Sequence, residues 1–419
     1  MNILIFCGYI DDRKTTDANV NIAKRLCREV AKQGHNVTLA AIHVNTAPQG
    51  TVVKTAEDGN YKIALITPPP FVHRHRDRLE QYVQSHPDMP RGAAVMRFML
   101  MHPFSAAVIK YSYSKLYKYD IPENYAIKAV DDYCKANAVD AAVAMTFPFI
   151  SVVSVFGTKA QCKKYIYQLD PYGLHETIPP EYNEIEFFAK ADGIFTTDIL
   201  KRVYSCHDDY KKFCDKIFVS PFPTLVKGDA AHSSLPVPFD SEKTNIVFCG
   251  STHDNYRSPK CFLECLGKIL EKDKNIVATF IGPHTSATLD SFAALYPDNI
   301  RIFPSINASL VPSVLDKADF LLNMGNTFKL QVPSKIFEYF ATGKPIIHQQ
   351  LVSDCSCLEY MEKYPLAFCF EESSDATAEK LYSFIKNNLS QTVSWDKVSE
   401  IYSGNIPENV AKNLLDIIG

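Results

Sequence analysis

The chain has 419 residues, of which 46% are hydrophobic and 22% are charged, and its formal net charge is −3. This size and composition predict a folded protein of two or three domains, and the small negative charge argues against a general nucleic-acid binder. No segment approaches the roughly 18 uninterrupted apolar residues that a membrane-spanning helix needs.

The first residues, MNILIFCGYIDD, predict a buried β-strand over 2–7 rather than a signal peptide. Their apolar run is short, no basic residue precedes it, and Asp11 and Asp12 follow it. We therefore expect a cytoplasmic protein whose scattered cysteines are reduced thiols. Cys355 and Cys357 form a C-x-C motif, which does not make a four-ligand zinc pattern.

A β-α-β unit is predicted next. Apolar residues recur at helical spacing between 20 and 31, Gly34 ends that helix, and 36–42 has the pattern of a strand. Such a unit predicts a parallel sheet. Between 71 and 135 the pattern becomes helical, basic and aromatic. Further strands are predicted at 61–66, 140–145, 164–169, 192–197 and 216–220.

A Pro- and Ser-rich stretch at 221–238 predicts a linker. Beyond it, strands and helices alternate again, with strands predicted at 245–250, 276–282, 300–304, 319–324, 345–348 and 366–370. The sequence thus predicts an α/β protein with two Rossmann-like, doubly wound parallel-sheet domains, over 1–225 and 244–400, joined by a linker at 226–243.

The loop after the first strand of the second domain is one candidate site, because ligands of open α/β sheets bind beyond the carboxyl ends of strands. Gly250 permits a sharp exit from the strand, and Ser251 and Arg257 lie on the loop. Ser258 and Pro259 predict the start of the next helix, with Ser258 as its N-cap. An arginine beside a helix start suits a diphosphate. The alternative is an ordinary loop with a solvated arginine.

The segment QVPSKIFEYFATGKPII (331–347) is a second candidate site, and Asn326 lies in the loop before it. Ser334 and Lys335 would sit at the positive end of a short helix, where anions bind to free backbone N–H groups. Glu338, one turn further on, could accept hydrogen bonds from a ribose diol. It could equally pair with a nearby lysine or favour the helix dipole.

The second half resembles retaining glycosyltransferases of the GT-B fold, especially family 4. The resemblance rests on E-Y-F-A-T-G-K-P at 338–345, on the Ala-Asp pair at 318–319, and on the glycine-ended strand at 248–250 followed by basic residues. In the first half, GHNVTLAAI (34–42) and AKADGIFTTDILKRVY (189–204) are similar to the corresponding segments of that family.

In family 4, the second glutamate of an E-x7-E element holds the ribose of the sugar nucleotide, and the resemblance gives this role to Glu338. The first glutamate of that element would fall at Leu330, which is a departure from the family pattern. The contact with the donor sugar would then pass to Asn326, Lys329 or Gln331, or to backbone groups. The leucine at this position is also compatible with a protein that has lost its activity.

The resemblance implies transfer of a sugar, with retention, from a nucleoside-diphosphate sugar to a glycan or lipid-linked acceptor in bacterial surface polysaccharide synthesis. It implies no metal and no cofactor, and a C-terminal helix at 401–419 that packs on the first domain. Arg257 and Lys335 would be catalytic by stabilising the leaving diphosphate. The donor would be bound by Gly250, Ser251, Asn326, Ser334 and Glu338.

Residues for the acceptor are predicted at strand ends of the first domain. Gly8 ends the first strand, so 8–12 would face the bound substrates. Asp170 ends a later strand, and we predict that it is a catalytic residue that orients an acceptor hydroxyl. Tyr172 and His102 are further candidates for that role. For each of these side chains the alternative is a packed or surface residue.

The stretch 71–118 carries eight Lys or Arg and three acidic residues, with Phe, Met and Tyr between them. Such a region can sit on an anionic membrane surface, here the inner face, which would suit a lipid-linked acceptor. A solvated helical insertion is the alternative.

Two other functions stay open, namely a sugar-nucleotide epimerase of the same fold and an inactive binding or scaffold protein. An NAD-dependent enzyme is a weaker alternative, because neither CGYIDD nor FCGSTHDN supplies a Gly-x-Gly-x-x-Gly motif.

Overall fold

The computed structural model describes residues 1–10, 18–43, 51–67, 70–116, 123–175, 180, 182–228 and 235–419. The chain divides into two compact units. The first consists of Met1–Gly173, Pro180–Ser220 and Ala411–Gly419, and the second of Leu174–Pro179 and Pro221–Val410. The two units hold separate sheets whose strands are almost all parallel, which confirms the predicted α/β class.

The first unit contains an eight-stranded sheet with the order β3-β4-β2-β1-β5-β6-β7-β8. Its strands are β1 (Asn2–Ile10), β2 (Asn36–His43), β3 (Thr51–Thr55), β4 (Lys62–Ile66), β5 (Ala141–Met145), β6 (Lys163–Gln168), β7 (Gly193–Thr196) and β8 (Ile217–Val219). All neighbours are parallel except β3 and β4. The sequence did not predict β3. All five of its residues are exposed, so the strand lacks the buried apolar residues that mark an inner strand.

Eight helices in the described residues of the first unit surround or extend this sheet. They are α1 (Ala18–Lys32), α2 (Pro70–Gln84), α3 (Arg91–Met101), α4 (Pro103–Leu116), α5 (Glu123–Ala136), α6 (Ile150–Phe156), α7 (Glu184–Lys190) and α8 (Asp198–Cys206). The stretch 71–135, predicted to be helical, corresponds to α2–α5.

The second unit contains a six-stranded parallel sheet with the order β13-β11-β9-β14-β15-β16. Its strands are β9 (Thr244–Cys249), β11 (Ile276–Ile281), β13 (Ile300–Phe303), β14 (Phe320–Met324), β15 (Ile346–Gln349) and β16 (Ala367–Phe370), and a separate two-stranded sheet consists of β10 (Thr252–His253) and β12 (His284–Thr285). Counted along the chain, the six strands have the order 3-2-1-4-5-6 of a doubly wound nucleotide-binding fold.

The helices that follow are α9 (Lys260–Leu270), α10 (Ala287–Leu295), α11 (Val311–Lys317), α12 (Lys335–Ala341), α13 (Leu358–Met361), α14 (Asp375–Asn388), α15 (Trp395–Ile401) and α16 (Pro407–Ile418). α9 buries Phe262 and Leu266, and α14 buries Leu381, in one apolar cluster with the sheet residues Ile246 and Phe280. Each such side chain contributes about 1.5–3 kcal/mol on burial, so this cluster holds the strand ends in place. The final part of α16 belongs to the first unit, where Asn413 donates a hydrogen bond to the Val219 carbonyl at 2.6 Å.

The prediction that Gly8 ends the first strand is wrong. β1 continues to Ile10, through an irregularity in its pairing with β2 between Phe6 and Tyr9. Gly8 has φ of +91°, and a Cβ there would lie 2.1 Å from Cδ of Pro148. Glycine is therefore required by a close approach inside the strand rather than by an exit from it. Asp11 and Asp12 lie outside the described residues.

The predicted helix boundaries at the candidate site are right for one helix and wrong for the other. α12 begins at Lys335 after the N-cap Ser334, and Gly343 follows its end with φ of +73°, as expected for a terminating glycine. Ser258, in contrast, is not the N-cap of α9, since Pro259 occupies that position. The hydroxyl of Ser258 still accepts a hydrogen bond from the Lys260 N–H at 3.4 Å.

Candidate functional site

The candidate site lies where the order of the second sheet reverses. β9 and β14 are neighbours there, although β11 and β13 come between them in the chain. Crossovers leave these two strands in opposite directions, and ligands of such sheets bind in the crevice beyond the strands' carboxyl ends. Both predicted loops, after β9 and after β14, begin at this edge.

Arg257 and Asn326 join the two loops. Nε of Arg257 donates a hydrogen bond to Oδ1 of Asn326 at 3.0 Å, and a terminal guanidinium nitrogen donates to the same oxygen. Nδ2 of buried Asn326 donates in turn to Oε1 of Gln331 at 2.9 Å. Burial lowers the pKa of Arg257. The alternative interpretation, in which Arg257 is a solvated arginine on an ordinary loop, does not fit these contacts.

Lys335 and Tyr339 fix α12 to the last residue of β9. Nζ of Lys335 donates to the Cys249 carbonyl at 3.0 Å, and the Cys249 N–H donates to the hydroxyl of Tyr339 at 3.1 Å. Part of the Lys335 side chain is exposed, but its ammonium lies against this strand end. Burial of the ammonium lowers the pKa of Lys335, and the positive charge of Arg257 adds to that effect, while Cys249 and Glu338 oppose it.

Glu338 is half-buried on α12, one turn after the helix start. Its charge acts on Lys335, on Tyr339 and on the Cys249 thiol. The carboxylate thus belongs electrostatically to the group of side chains around the end of β9. The charges that act on Lys344, one of its alternative partners, are those of Asp316, Asp319 and Lys317.

The N-terminus of α12 differs from the anion-binding helix start that the sequence predicted. α12 has seven residues, and the hydroxyl of Ser334 does not cap it. The Ser334 carbonyl accepts hydrogen bonds from the hydroxyl of Thr224 and the N–H of Phe337, both at 3.3 Å. The binding of an anion at this helix start stays a prediction.

Three residues were predicted to take over from the glutamate that Leu330 replaces. Asn326 and Gln331 belong to the hydrogen-bonded chain from Arg257. Lys329 instead forms an ion pair with exposed Asp354 at 3.2 Å. The first two are therefore better placed to act at this site.

Gly250 and Gly282 allow β9 and β11 to end in close contact. The Gly250 N–H donates to the Ile281 carbonyl at 2.9 Å, and a Cβ on Gly282, whose φ is +140°, would lie 2.3 Å from the Gly250 carbonyl oxygen. Ser251, half-buried, follows directly. Sequence reasoning named Gly250 but missed Gly282, although both follow apolar strands.

Gln349 is a second residue that sequence reasoning missed. It is fully buried at the end of β15; its Oε1 accepts from the Phe262 N–H at 2.7 Å, and its Nε2 donates to the Ser258 carbonyl at 2.6 Å. It therefore fixes the start of α9 beside Arg257. A glutamine after an apolar strand carries no specific signal, so only the fold reveals this role.

The residues of the first unit that were predicted to orient the acceptor lie in different environments. Asp170 is half-buried just after β6, whereas buried Tyr172 stacks on Phe149 with ring centroids 3.9 Å apart. His102 is exposed at the end of α3. Tyr172 therefore has the surroundings of a packed residue, which was the alternative to an acceptor-binding role, while Asp170 keeps partial access to solvent.

Glu184, which sequence reasoning did not single out, is a buried carboxylate near Asp170. It accepts hydrogen bonds from Gln168 Nε2 at 2.7 Å, Tyr210 Oη at 2.8 Å and the Gly173 N–H at 3.1 Å. Burial raises the pKa of Glu184. These bonds tie the side chain of Gln168 and the backbone of Gly173, on either side of Asp170, to one carboxylate, so Glu184 positions that loop.

No family model matches the chain, and no curated protein sequence matches it. Solved structures do. A sucrose-phosphate synthase from Thermosynechococcus elongatus has a TM-score of 0.64 at 11% identity over 99% of this chain and 97% of that chain. An E. coli trehalose-6-phosphate protein bound with UDP-2-fluoro glucose has a TM-score of 0.60 at 10% identity over 100% and 99%. A putative UDP-N-acetylglucosamine 2-epimerase from Listeria monocytogenes has a TM-score of 0.58 at 10% identity over 99% and 94%.

These likenesses cover nearly the whole chain at low identity, so they establish the fold rather than the activity. The fold is the GT-B fold that glycosyltransferases adopt, with the candidate site at the reversal point of the second sheet.

Proposed function

We propose that the protein is a retaining glycosyltransferase that moves a sugar from a nucleoside-diphosphate sugar to a glycan or lipid-linked acceptor, in the synthesis of a bacterial surface polysaccharide. The observation that carries the proposal is the placement of two cations, Arg257 and Lys335, beyond the adjacent ends of β9 and β14, with the carboxylate of Glu338 one turn further on α12. The E. coli neighbour, which is bound with UDP-2-fluoro glucose, supports a sugar nucleotide as the donor.

The chemistry requires stabilisation of charge. Breaking the bond between the sugar and the phosphate leaves a nucleoside diphosphate and gives the sugar oxocarbenium character. Arg257 and Lys335 stabilise the leaving diphosphate, and their positions are already fixed by Asn326 and by Cys249, so little reorganisation is needed as the bond breaks.

The remaining residues have binding roles in this proposal. Glu338 accepts hydrogen bonds from the ribose diol, and the turn at Gly250 and Ser251 lets the backbone approach the phosphates closely. Asp170, in the first unit, orients the acceptor hydroxyl.

A thermal-shift screen of the full chain against UDP, GDP, ADP, CMP and NAD tests the proposal. We expect one nucleoside diphosphate to raise the melting temperature. Ligand at 100 times its Kd adds about 2.7 kcal/mol, and each kcal/mol raises the midpoint by about 2–4 °C for a unit of 150–250 residues. NAD serves as the negative control. An unchanged midpoint with every nucleotide would favour the inactive-partner alternative.

An epimerase is the second candidate, because a putative UDP-N-acetylglucosamine 2-epimerase is among the structural neighbours. The two functions differ in their need for an acceptor. Incubation with the donor alone, followed by chromatography of the sugars, separates them. An isomerised sugar formed without acceptor would identify the epimerase, whereas a product that appears only with acceptor would identify the transferase.

We also propose that the protein is cytoplasmic and binds the inner membrane face through α3 and α4. Four large apolar side chains are exposed there, with exposed fractions of 55–78%: Met96, Leu100, Met101 and Phe104. The basic residues Arg97 and Lys110 are exposed on the same two helices. In the described part of the chain, no helix alone is long and apolar enough to cross a membrane; α3 and Pro103–Lys110 together meet both criteria but are bent by 114°.

Replacing both Leu100 and Phe104 by serine is expected to weaken binding to anionic vesicles at least about tenfold, because each buried apolar side chain contributes about 1.5–3 kcal/mol. Sedimentation with phosphatidylglycerol-containing vesicles measures the bound fraction. Leu295→Ser is the matched control, since Leu295 is 66% exposed on α10, outside this patch. Equal sedimentation of the double variant and the unmodified chain would support the solvated-insertion alternative.

A further inference from the structure

A cluster of one histidine and two cysteines lies beside the candidate site. His348 is on β15, and Cys355 and Cys357 lie on the loop that follows. Their exposed fractions are 0%, 3% and 0%, and their ligand atoms all lie within 4.8 Å of one another. The C-x-C motif drew attention in the sequence, but the histidine that joins it is seven residues away and could be found only from the fold.

We propose that His348, Cys355 and Cys357 bind one zinc ion. Thiolate sulfur and imidazole nitrogen are the donors that zinc prefers in proteins, and two cysteines with one histidine make a known three-ligand set with one open position. Two donors on a tetrahedral zinc are about 3.5–3.8 Å apart, given bond lengths of about 2.0–2.3 Å. The separations, all within 4.8 Å, therefore need to close by about 1.0–1.3 Å at most to meet that geometry.

The imidazole of His348 supplies an independent sign of a missing ligand. Its Nδ1 is 2.8 Å from Nδ2 of Asn323, while its Nε2 is buried and has no hydrogen-bond partner among the described residues. In the arrangement as it stands, Asn323 donates to Nδ1, so the proton of a neutral imidazole is on Nε2, where no described residue accepts it in hydrogen-bond geometry. A buried N–H without an acceptor is costly.

Rotation of the Asn323 amide by half a turn resolves this. The amide oxygen then accepts the proton of Nδ1, which leaves Nε2 with a lone pair that can bind a metal ion. Amide orientation is assigned from such networks, and metal-binding histidines usually donate their second N–H to an oxygen in this way. Asn323 is thus a positioning residue for the proposed ligand His348.

The charge balance also suits zinc. Two thiolates neutralise Zn²⁺ and a neutral imidazole adds no charge, so the complete site can be buried without an unpaired charge. Zinc takes the place of the two thiol protons, which pass to solvent when the metal binds.

The cluster is tied to the loop after β14. The Ser356 N–H donates to the Lys329 carbonyl at 3.0 Å, and a Cβ at Gly325 would lie 3.5 Å from Sγ of Cys355. Asn326, the partner of Arg257, comes next in the chain. A bound zinc would therefore hold together the two loops below the candidate site. The inference rests on the cluster alone and holds whether or not the protein transfers a sugar.

Cobalt substitution tests the proposal on the folded full chain. The protein is reduced, stripped with a chelator and titrated with Co²⁺, and near-ultraviolet thiolate-to-cobalt bands and visible bands of tetrahedral cobalt are recorded. We expect both sets of bands to saturate at one equivalent and to disappear when Zn²⁺ is added. Absence of thiolate-to-cobalt bands in the unmodified chain would overturn the proposal without the need for any variant.

Variants then locate the site. Cys355→Ser and His348→Ala are expected to lose the bands and the zinc that mass spectrometry detects in the purified protein, whereas Cys206→Ser, an exposed cysteine on α8, is expected to keep both. Bands that persist in Cys355→Ser would overturn the assignment. A Cys355–Cys357 disulfide in the purified protein, found by peptide mapping together with an absence of metal, would also overturn it in favour of a redox pair.

Discussion

Replacing Arg257 by alanine is expected to lower kcat for sugar transfer by about 10²–10³-fold, with a smaller change in KM for the donor. The guanidinium interacts most strongly with the diphosphate when negative charge develops on it, so the loss falls mainly on the transition state. Steady-state kinetics with varied donor and saturating acceptor measure the effect.

Two companion variants make this result interpretable. Arg257→Lys keeps the charge but loses the two-nitrogen contact with Asn326, so an intermediate kcat is expected. Arg202→Ala removes an exposed arginine on α8 that pairs with Asp198, and it should leave kcat unchanged. Melting temperatures exclude a loss of fold. A kcat for Arg257→Ala within twofold of the unmodified enzyme would remove Arg257 from the proposed mechanism.

Glu338→Ala is expected to weaken binding of the nucleoside diphosphate by about 10–100-fold, because hydrogen bonds to a charged group contribute about 1.5–3 kcal/mol. The protein should stay folded, since Glu338 is half-buried on a short helix that is fixed by Tyr339 and Lys335. Isothermal titration calorimetry with the nucleotide identified by the thermal screen measures the Kd.

The ribose assignment has its own control. Removing the 2′ and 3′ hydroxyls from the nucleotide should weaken binding to the unmodified chain but have little further effect on Glu338→Ala, because the two changes delete the same interaction. Glu379→Ala, an exposed glutamate on α14 that pairs with Lys272, should bind like the unmodified chain. Additive losses from the variant and the deoxy ligand would show that Glu338 binds something other than the ribose.

Much of the secondary structure was predictable from residue patterns. The six strands of the second sheet and all of the predicted strands of the first sheet are present to within a few residues. Most of those strands are buried and apolar, which gives a strong local signal. The misses have physical causes: β3 is an exposed edge strand, and the irregularity at Gly8 results from the approach of Pro148, more than a hundred residues away in the chain.

The candidate site was only partly predictable. Arg257, Asn326, Lys335 and Glu338 could be named individually, because polar residues that follow a buried strand stand out. Their partners could not be named, and Gln349 was missed altogether, although its two hydrogen bonds fix the start of α9. Hydrogen bonds between loops depend on which strands are neighbours, and that order is a property of the whole sheet.

The α/β class, the succession of strands and helices, and the loops that carry polar groups follow from the amino-acid sequence, because hydrophobic periods of two and 3.6 residues are local properties. The folded chain added the pairing of Arg257 with Asn326, 69 residues apart, and the meeting of His348 with Cys355 and Cys357. Both arise from the packing of the parallel strands. β9 lies against β14, and β14 lies against β15, so their carboxyl ends gather side chains that are distant in the chain.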